Sequence, residues 1–107
     1  MIKLKAGVDI KGIKAEMVFG IVIVDSVFED KGVYETIVTS VKDGKHKPGS
    51  LHYSGLAADF RSKHISGLVL KNAIVESIKS SLGDQWDVLL EHLGKPNEHI
   101  HVEFDPK

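Results

Sequence analysis

The chain reads as one α+β domain, residues 1–107, with a small antiparallel sheet flanked by helices. Three observations predict this. Apolar residues recur at helical spacing in two stretches, 12–32 and 70–82. Four other stretches, 34–41, 55–60, 86–91 and 99–104, alternate in polarity or form short apolar runs. Their order along the chain is helix, strands, helix, strands, which favours an α+β layer arrangement over a parallel sheet. A chain of 107 residues is long enough for one core.

The first helix is expected from Gly12 to Gly32. Ile13, Met17, Ile21, Val24 and Phe28 would line its buried face, and Gly32 would stop it. The Val and Ile residues at 21–24 pull against this, because β-branched side chains favour strands. In 34–41, Tyr34, Thr36, Val38 and Ser40 alternate with Glu35, Ile37, Thr39 and Val41, which predicts a strand. Asp43-Gly44 and Pro48-Gly49 mark 42–50 as a loop. "GLAADF", 55–60, is expected to be a buried strand. Ser66 is the expected N-cap of a second helix with Leu70, Ile74, Ile78 and Leu82 buried and Gly83 as its end. "WDVLLE", 86–91, reads as a strand with Trp86 in the core. After a turn at 93–98, "HIHVEF", 99–104, reads as the last strand.

Hydrophobic residues make up 42% and charged residues 27%, an ordinary soluble composition. A net charge of −1 argues against a nucleic-acid or anionic-lipid partner. The run "MVFGIVIV", 17–24, is too short for a bilayer, which takes roughly 20 residues, so no membrane insertion is expected. The N-terminus shows no signal-peptide pattern. There is no cysteine, so a metal would be held by nitrogen and oxygen alone.

Chemistry concentrates in two places. In the last strand a period of two puts Ile100, Val102 and Phe104 on one face and His99, His101 and Glu103 on the other. By itself that polar face reads as an edge strand looking at water. In "SLHYSGLAAD", 50–59, His52 taken alone is a loop residue, but Asp59 sits among Leu, Ala and Phe. A buried carboxylate is costly unless it is paired or ligates a metal. His52, Asp59 and an imidazole of the last strand together make three ligands, which leaves a fourth position for water, as in catalytic zinc sites. His46 reads as a solvated loop residue or a cleft residue, His64 and His92 as surface or cap residues, and Glu103 as a group that orients a neighbouring histidine or faces solvent.

Ser50, His52, Gly55, Ala57 and Asp59 match the Ser-x-His-x-x-Gly-x-Ala-x-Asp signature, and the chain thereby resembles the zinc D-Ala-D-Ala carboxypeptidases. That family includes phage endolysins that cut L-Ala-D-Glu bonds and the vancomycin-resistance D,D-dipeptidases. The Hedgehog signalling domain shares its fold. The family's second motif is Glu-x-x-His or His-x-His, and "EHIH", 98–101, contains both. The resemblance spans roughly residues 12–105 and implies Zn²⁺ held by His52, Asp59 and His101, with Glu98 as the catalytic carboxylate. Many members have an arginine before the first zinc histidine. Here only lysines precede it, so Lys42 and Lys45 are the expected stand-ins, with His46, Ser50 and His99 as further substrate-facing residues. Strict alternation puts Glu98 opposite His101, so its expected role requires a turn at Pro96-Asn97.

The expected function is hydrolysis of peptide bonds in peptidoglycan stem peptides by a monomeric metallopeptidase. It would be made in the cytoplasm and act at the bacterial cell wall, in phage lysis, in a virion or in wall remodelling. The rival is a non-catalytic zinc-bound interaction module of the same fold. A carboxylate at Glu98 favours the enzyme.

Overall fold

The computed structural model of the protein describes residues 1–43 and 46–106. The elements in chain order are β1 (Ile2–Leu4), α1 (Ala15–Asp30), β2 (Thr36–Ser40), β3 (Ala57–Arg61), α2 (Leu68–Leu82), β4 (Trp86–Glu91) and β5 (His99–Phe104). The strands form one sheet in the order β1-β2-β3-β5-β4. The α+β class holds, with one correction. The sheet is mixed, because β1 pairs parallel to β2 while the other three pairings are antiparallel. β1 is three exposed residues long and offers no readable periodicity. No helix among the described residues is long and apolar enough to cross a membrane.

Both helices cover the same face of the sheet. Met17, Val24 and Phe28 of α1 and Ile74 and Ile78 of α2 bury fully against Val38, Ala58, Phe60, Val88, Ile100 and Val102. Burying side chains of this size stabilises the fold by about 1.5–3 kcal/mol each, enough to override the weak helix propensity of the Val and Ile residues in α1. Gly20 admits the Trp86 ring, since a Cβ there would stand 2.8 Å from it. Trp86 itself is half-buried at the core margin, 5.1 Å from the Phe104 ring.

The end of α1 follows the expected stop. The Val33 N–H donates to the Phe28 carbonyl (2.8 Å) and the Gly32 N–H to that of Glu29 (3.1 Å), a Schellman arrangement with Gly32 at φ 80°. The start of α2 does not follow the expectation for Ser66. Gly67 occupies the N-cap at φ 87°, with no side-chain cap, and its carbonyl accepts the first helical bond from Lys71. The reversal into α2 needs a left-handed residue at that point, and glycine supplies it at little cost.

Residues 47–56, before β3, fold back as tight turns. Gly55 is central to them. It lies at φ 74°, its N–H donates to His52, and its carbonyl accepts from Lys14. A Cβ there would sit 2.4 Å from the Gly12 carbonyl oxygen. Gly55→Ala should therefore destabilise the protein by about 1–3 kcal/mol in urea unfolding.

Candidate metal centre

Alternation along β3, β4 and β5 leaves the second sheet face free of helices, and the register stacks its side chains into rows. Asp59 pairs with His101, Arg61 with His99 and Ala57 with Glu103, while β4 sets Glu91 beside His99 and Asp87 beside Glu103. Residues 47–55 bring His52 over this face, and the β2–β3 register shifts between Val38 and Ser40, which sets Ser40 opposite Asp59. The result is a cleft of about 770 Å³ whose walls include His46, Ser50, His52, Asp59, Glu91, His99, His101 and Glu103.

His52, Asp59 and His101 bring one ligand atom each to within 4.8 Å of one another. Their outward hydrogen bonds determine which atoms converge. A carbonyl can only accept, so the contact of His52 Nδ1 with the Val41 carbonyl (2.6 Å) places the proton on Nδ1. His52 Nε2 then turns inward, 3.3 Å from Asp59 Oδ1. His101 Nε2 bonds to Glu103 Oε1 (2.7 Å), and its Nδ1 reaches Asp59 Oδ1 at 2.8 Å. A buried carboxylate and two inward ring nitrogens, each oriented by an acceptor behind it, form a donor set that suits a divalent cation.

Without a cation the charge balance falls on His101. Burial lowers its pKa, but hydrogen bonds to Asp59 and Glu103 outweigh that and raise it to about 9. Asp59 is the converse case. Burial pushes its carboxyl up, and the bonds to His101 and His52 hold it well below the usual carboxylate range.

Glu103 thus holds the outward nitrogen of His101. His99 lines the cleft. Its Nδ1 donates to the Asn97 carbonyl (2.7 Å), which leaves Nε2 facing Glu91 Oε1 at 3.0 Å and Asp59 Oδ1 at 3.6 Å. His46 also lines the cleft, stacked on His52 with ring centroids 3.9 Å apart, and its Nε2 donates to the Asp43 carbonyl. Ser50 serves the turn: its hydroxyl accepts the His52 N–H (3.2 Å). His64 donates to the Glu35 carbonyl at the surface, whereas His92 takes φ 55° at the β4 end and joins the cleft rim.

Three expectations need separate statement. Glu98 is not at the metal set. It points to the helix-covered face, where its carboxylate accepts from Lys71 Nζ (2.8 and 3.1 Å), the Gly94 N–H (3.0 Å) and the Ser62 hydroxyl. The alternation of β5 runs back through Glu98, and the Pro96-Asn97 turn does not reverse it. Lys42 does not line the cleft; its side chain extends toward Gly12. Lys45 lies outside the described residues. Glu91 and Lys47, both in the cleft wall, had no role in the sequence reading. Glu91 closes "WDVLLE" and acquires meaning only from the β4–β5 register, while Lys47 is one lysine of a lysine-rich loop.

Comparison of the chain with family models, curated proteins and solved structures gave no match.

Two outcomes follow from these charges. Burial raises the Glu98 pKa, but Gly94, Lys71 and Ser62 bring it from 4.5 down to about 2, so its stabilisation is full above pH 4.5 and lost as pH falls toward 2. Glu98→Gln should cost about 3 kcal/mol near neutral pH, by leaving Lys71 without its counter-ion, and the deficit should shrink in acid unfolding curves. At the metal set the sign is reversed. His101 is raised from 6.5 to about 9, so metal-free protein should lose stability as pH rises through that range. A divalent cation bound there would displace that proton, so any gain in melting temperature from added zinc should widen from pH 6 to pH 9.

Proposed function

We propose that the chain is a zinc metallopeptidase that hydrolyses peptide bonds in peptidoglycan stem peptides, of the D-Ala-D-Ala or L-Ala-D-Glu type. One observation carries the reading. The inward atoms of His52, Asp59 and His101 converge in an open cleft, and a histidine–carboxylate pair, His99 and Glu91, stands beside them. His99 groups with Asp59 and Glu91 rather than with the His52, Asp59, His101 set, so three protein ligands leave room for a substrate or water. The substrate class and the Hedgehog-like fold rest on the likeness of residues 50–59 to the peptidase signature.

Zinc bound at these residues would supply a Lewis acid that polarises a carbonyl and brings the pKa of water to about 7. The chain supplies proton movement. His99 holds its Nδ1 proton against Asn97, so proton exchange runs through Nε2, which shares a proton with Glu91 Oε1 at 3.0 Å. With that proton on Glu91, Nε2 accepts one during attack and returns it to the leaving amine. His99 therefore takes the role first expected of Glu98, and the His-x-His form of the second motif describes the site. Glu98 no longer separates an enzyme from a binding module; His99 and Glu91 do.

Mass spectrometry of purified cell wall incubated with the protein should reveal new amino termini that a chelator abolishes. His99→Gln should keep its zinc and its melting temperature while the rate falls about 10²–10⁴-fold. Full activity in that variant removes His99 from the proton path. Absence of any new terminus with wild-type protein, zinc content confirmed, makes the chain a zinc-bound binding module.

A further inference from the structure

The open sheet face does not end at the metal set. Beyond His99, on the side away from β4, lies a second pocket of about 230 Å³ lined by Lys5, Thr39, Arg61, Lys63, Asn97 and His99. Its charge is one-sided. Three cationic side chains enter it, while the carboxylates around it are taken. Glu98 at its wall is engaged by Lys71, Ser62 and Gly94, and Glu35, whose carboxyl is influenced by Arg61, is paired with Lys3. Lys63 Nζ donates to the Pro96 carbonyl and so braces the 96–97 turn along the rim.

Arg61 is the unusual member. It is the chain's one arginine, partly buried in the β3 row beside His99, and its Nε is buried without a partner. A buried donor without an acceptor costs about 1–3 kcal/mol, and guanidinium carries a rigid fork that matches a planar carboxylate. The opposite side of the same face bears Glu91 and Glu103. The face therefore runs from acidic at β4 to basic at β1, with the metal ligands between, and His99 borders both pockets.

We propose that Lys5, Thr39, Arg61 and Lys63 form a carboxylate subsite, which holds an anionic end of a peptide ligand whose backbone crosses His99 to the metal set. Arg61 receives the carboxylate through its fork, the Thr39 hydroxyl donates beside it, and Lys5 and Lys63 add charge at the rim. The identity of the ligand as a peptide rests on the peptidase reading; the anion preference of the pocket does not.

The test is an amide-shift titration of the full chain, as purified, with N-acetylalanine and with its carboxamide. N-acetylalanine should shift the amides of Arg61, Lys63 and Asn97, and the carboxamide should not. Arg61→Gln should weaken binding about 10- to 100-fold, the value of one charge-assisted bidentate contact, with Arg61→Lys between it and wild type. Lys63→Gln, a change at an exposed residue, should weaken binding severalfold while the fold is retained, with a small drop in melting temperature from the lost bond to Pro96. Equal binding of the carboxamide, no binding of either compound, or wild-type affinity in both Arg61→Gln and Lys63→Gln overturns the subsite. Carboxylate binding by a protein that cuts no wall peptide upholds the subsite and defeats the peptidase reading. Wall hydrolysis with no carboxylate binding does the reverse.

Discussion

The pairing of Asp59 with His101 across β3 and β5 is the joint on which the site depends. In a period-two structure a slip of one residue would send Asp59 among the helices and bring Phe60 to the open face. The register is held from the helix side. Ala58, Phe60, Ile100 and Val102 are fully buried under α1 and α2, so a slip of either strand would turn its pair out to the open face. Hydrophobic packing on one face thus positions charge on the other, and the strand backbone is the rigid link between them.

Two buried carboxylates show how the faces differ. Asp59 and Glu98 are both nearly inaccessible, and each is kept ionised by donors that outweigh burial. Glu98 is satisfied by a lysine, a hydroxyl and a backbone N–H, all of which remain in place in the folded protein. Its oxygens have no capacity left for a reacting proton. Asp59 is satisfied by imidazoles, whose protons can be exchanged for a cation. The first arrangement suits a clamp between β5 and α2, and the second suits chemistry.

What the sequence disclosed follows the same division. The strands at 86–91 and 99–104 coincide with β4 and β5, and the apolar faces of both helices were readable, because one-sided burial writes a period into the chain. The site was readable where alternation governs it, in His99, His101 and Glu103, and where a motif does, in His52 and Asp59. It was not readable where a residue's role depends on its neighbour in space. Glu91 matters because β4 lies beside β5, and Arg61 because β1 and β2 complete the sheet on its other side. For Glu98 the motif and the alternation disagreed. Alternation described its position, because nothing in the Pro96-Asn97 turn rotates the chain before β5 begins.

The proton inventory explains why metal binding and folding would be coupled in this chain. His52, His99 and His101 each turn one ring nitrogen outward, to Val41, Asn97 and Glu103. Those acceptors are two backbone carbonyls and one carboxylate, so they belong to the folded backbone and its strands and are absent from an unfolded chain. The inward nitrogens face carboxylate oxygens of Asp59 and Glu91. Two lone pairs cannot face each other at hydrogen-bond distance without a proton or a cation between them. At His101 a proton fills that role in the metal-free protein, and the raised pKa of this histidine is its expression. A divalent cation would replace them with bonds from several elements at once: the turn after β2, β3 and β5. The fold therefore does more than carry ligands to one place. By assigning the outward protons it selects the atoms that remain to bind.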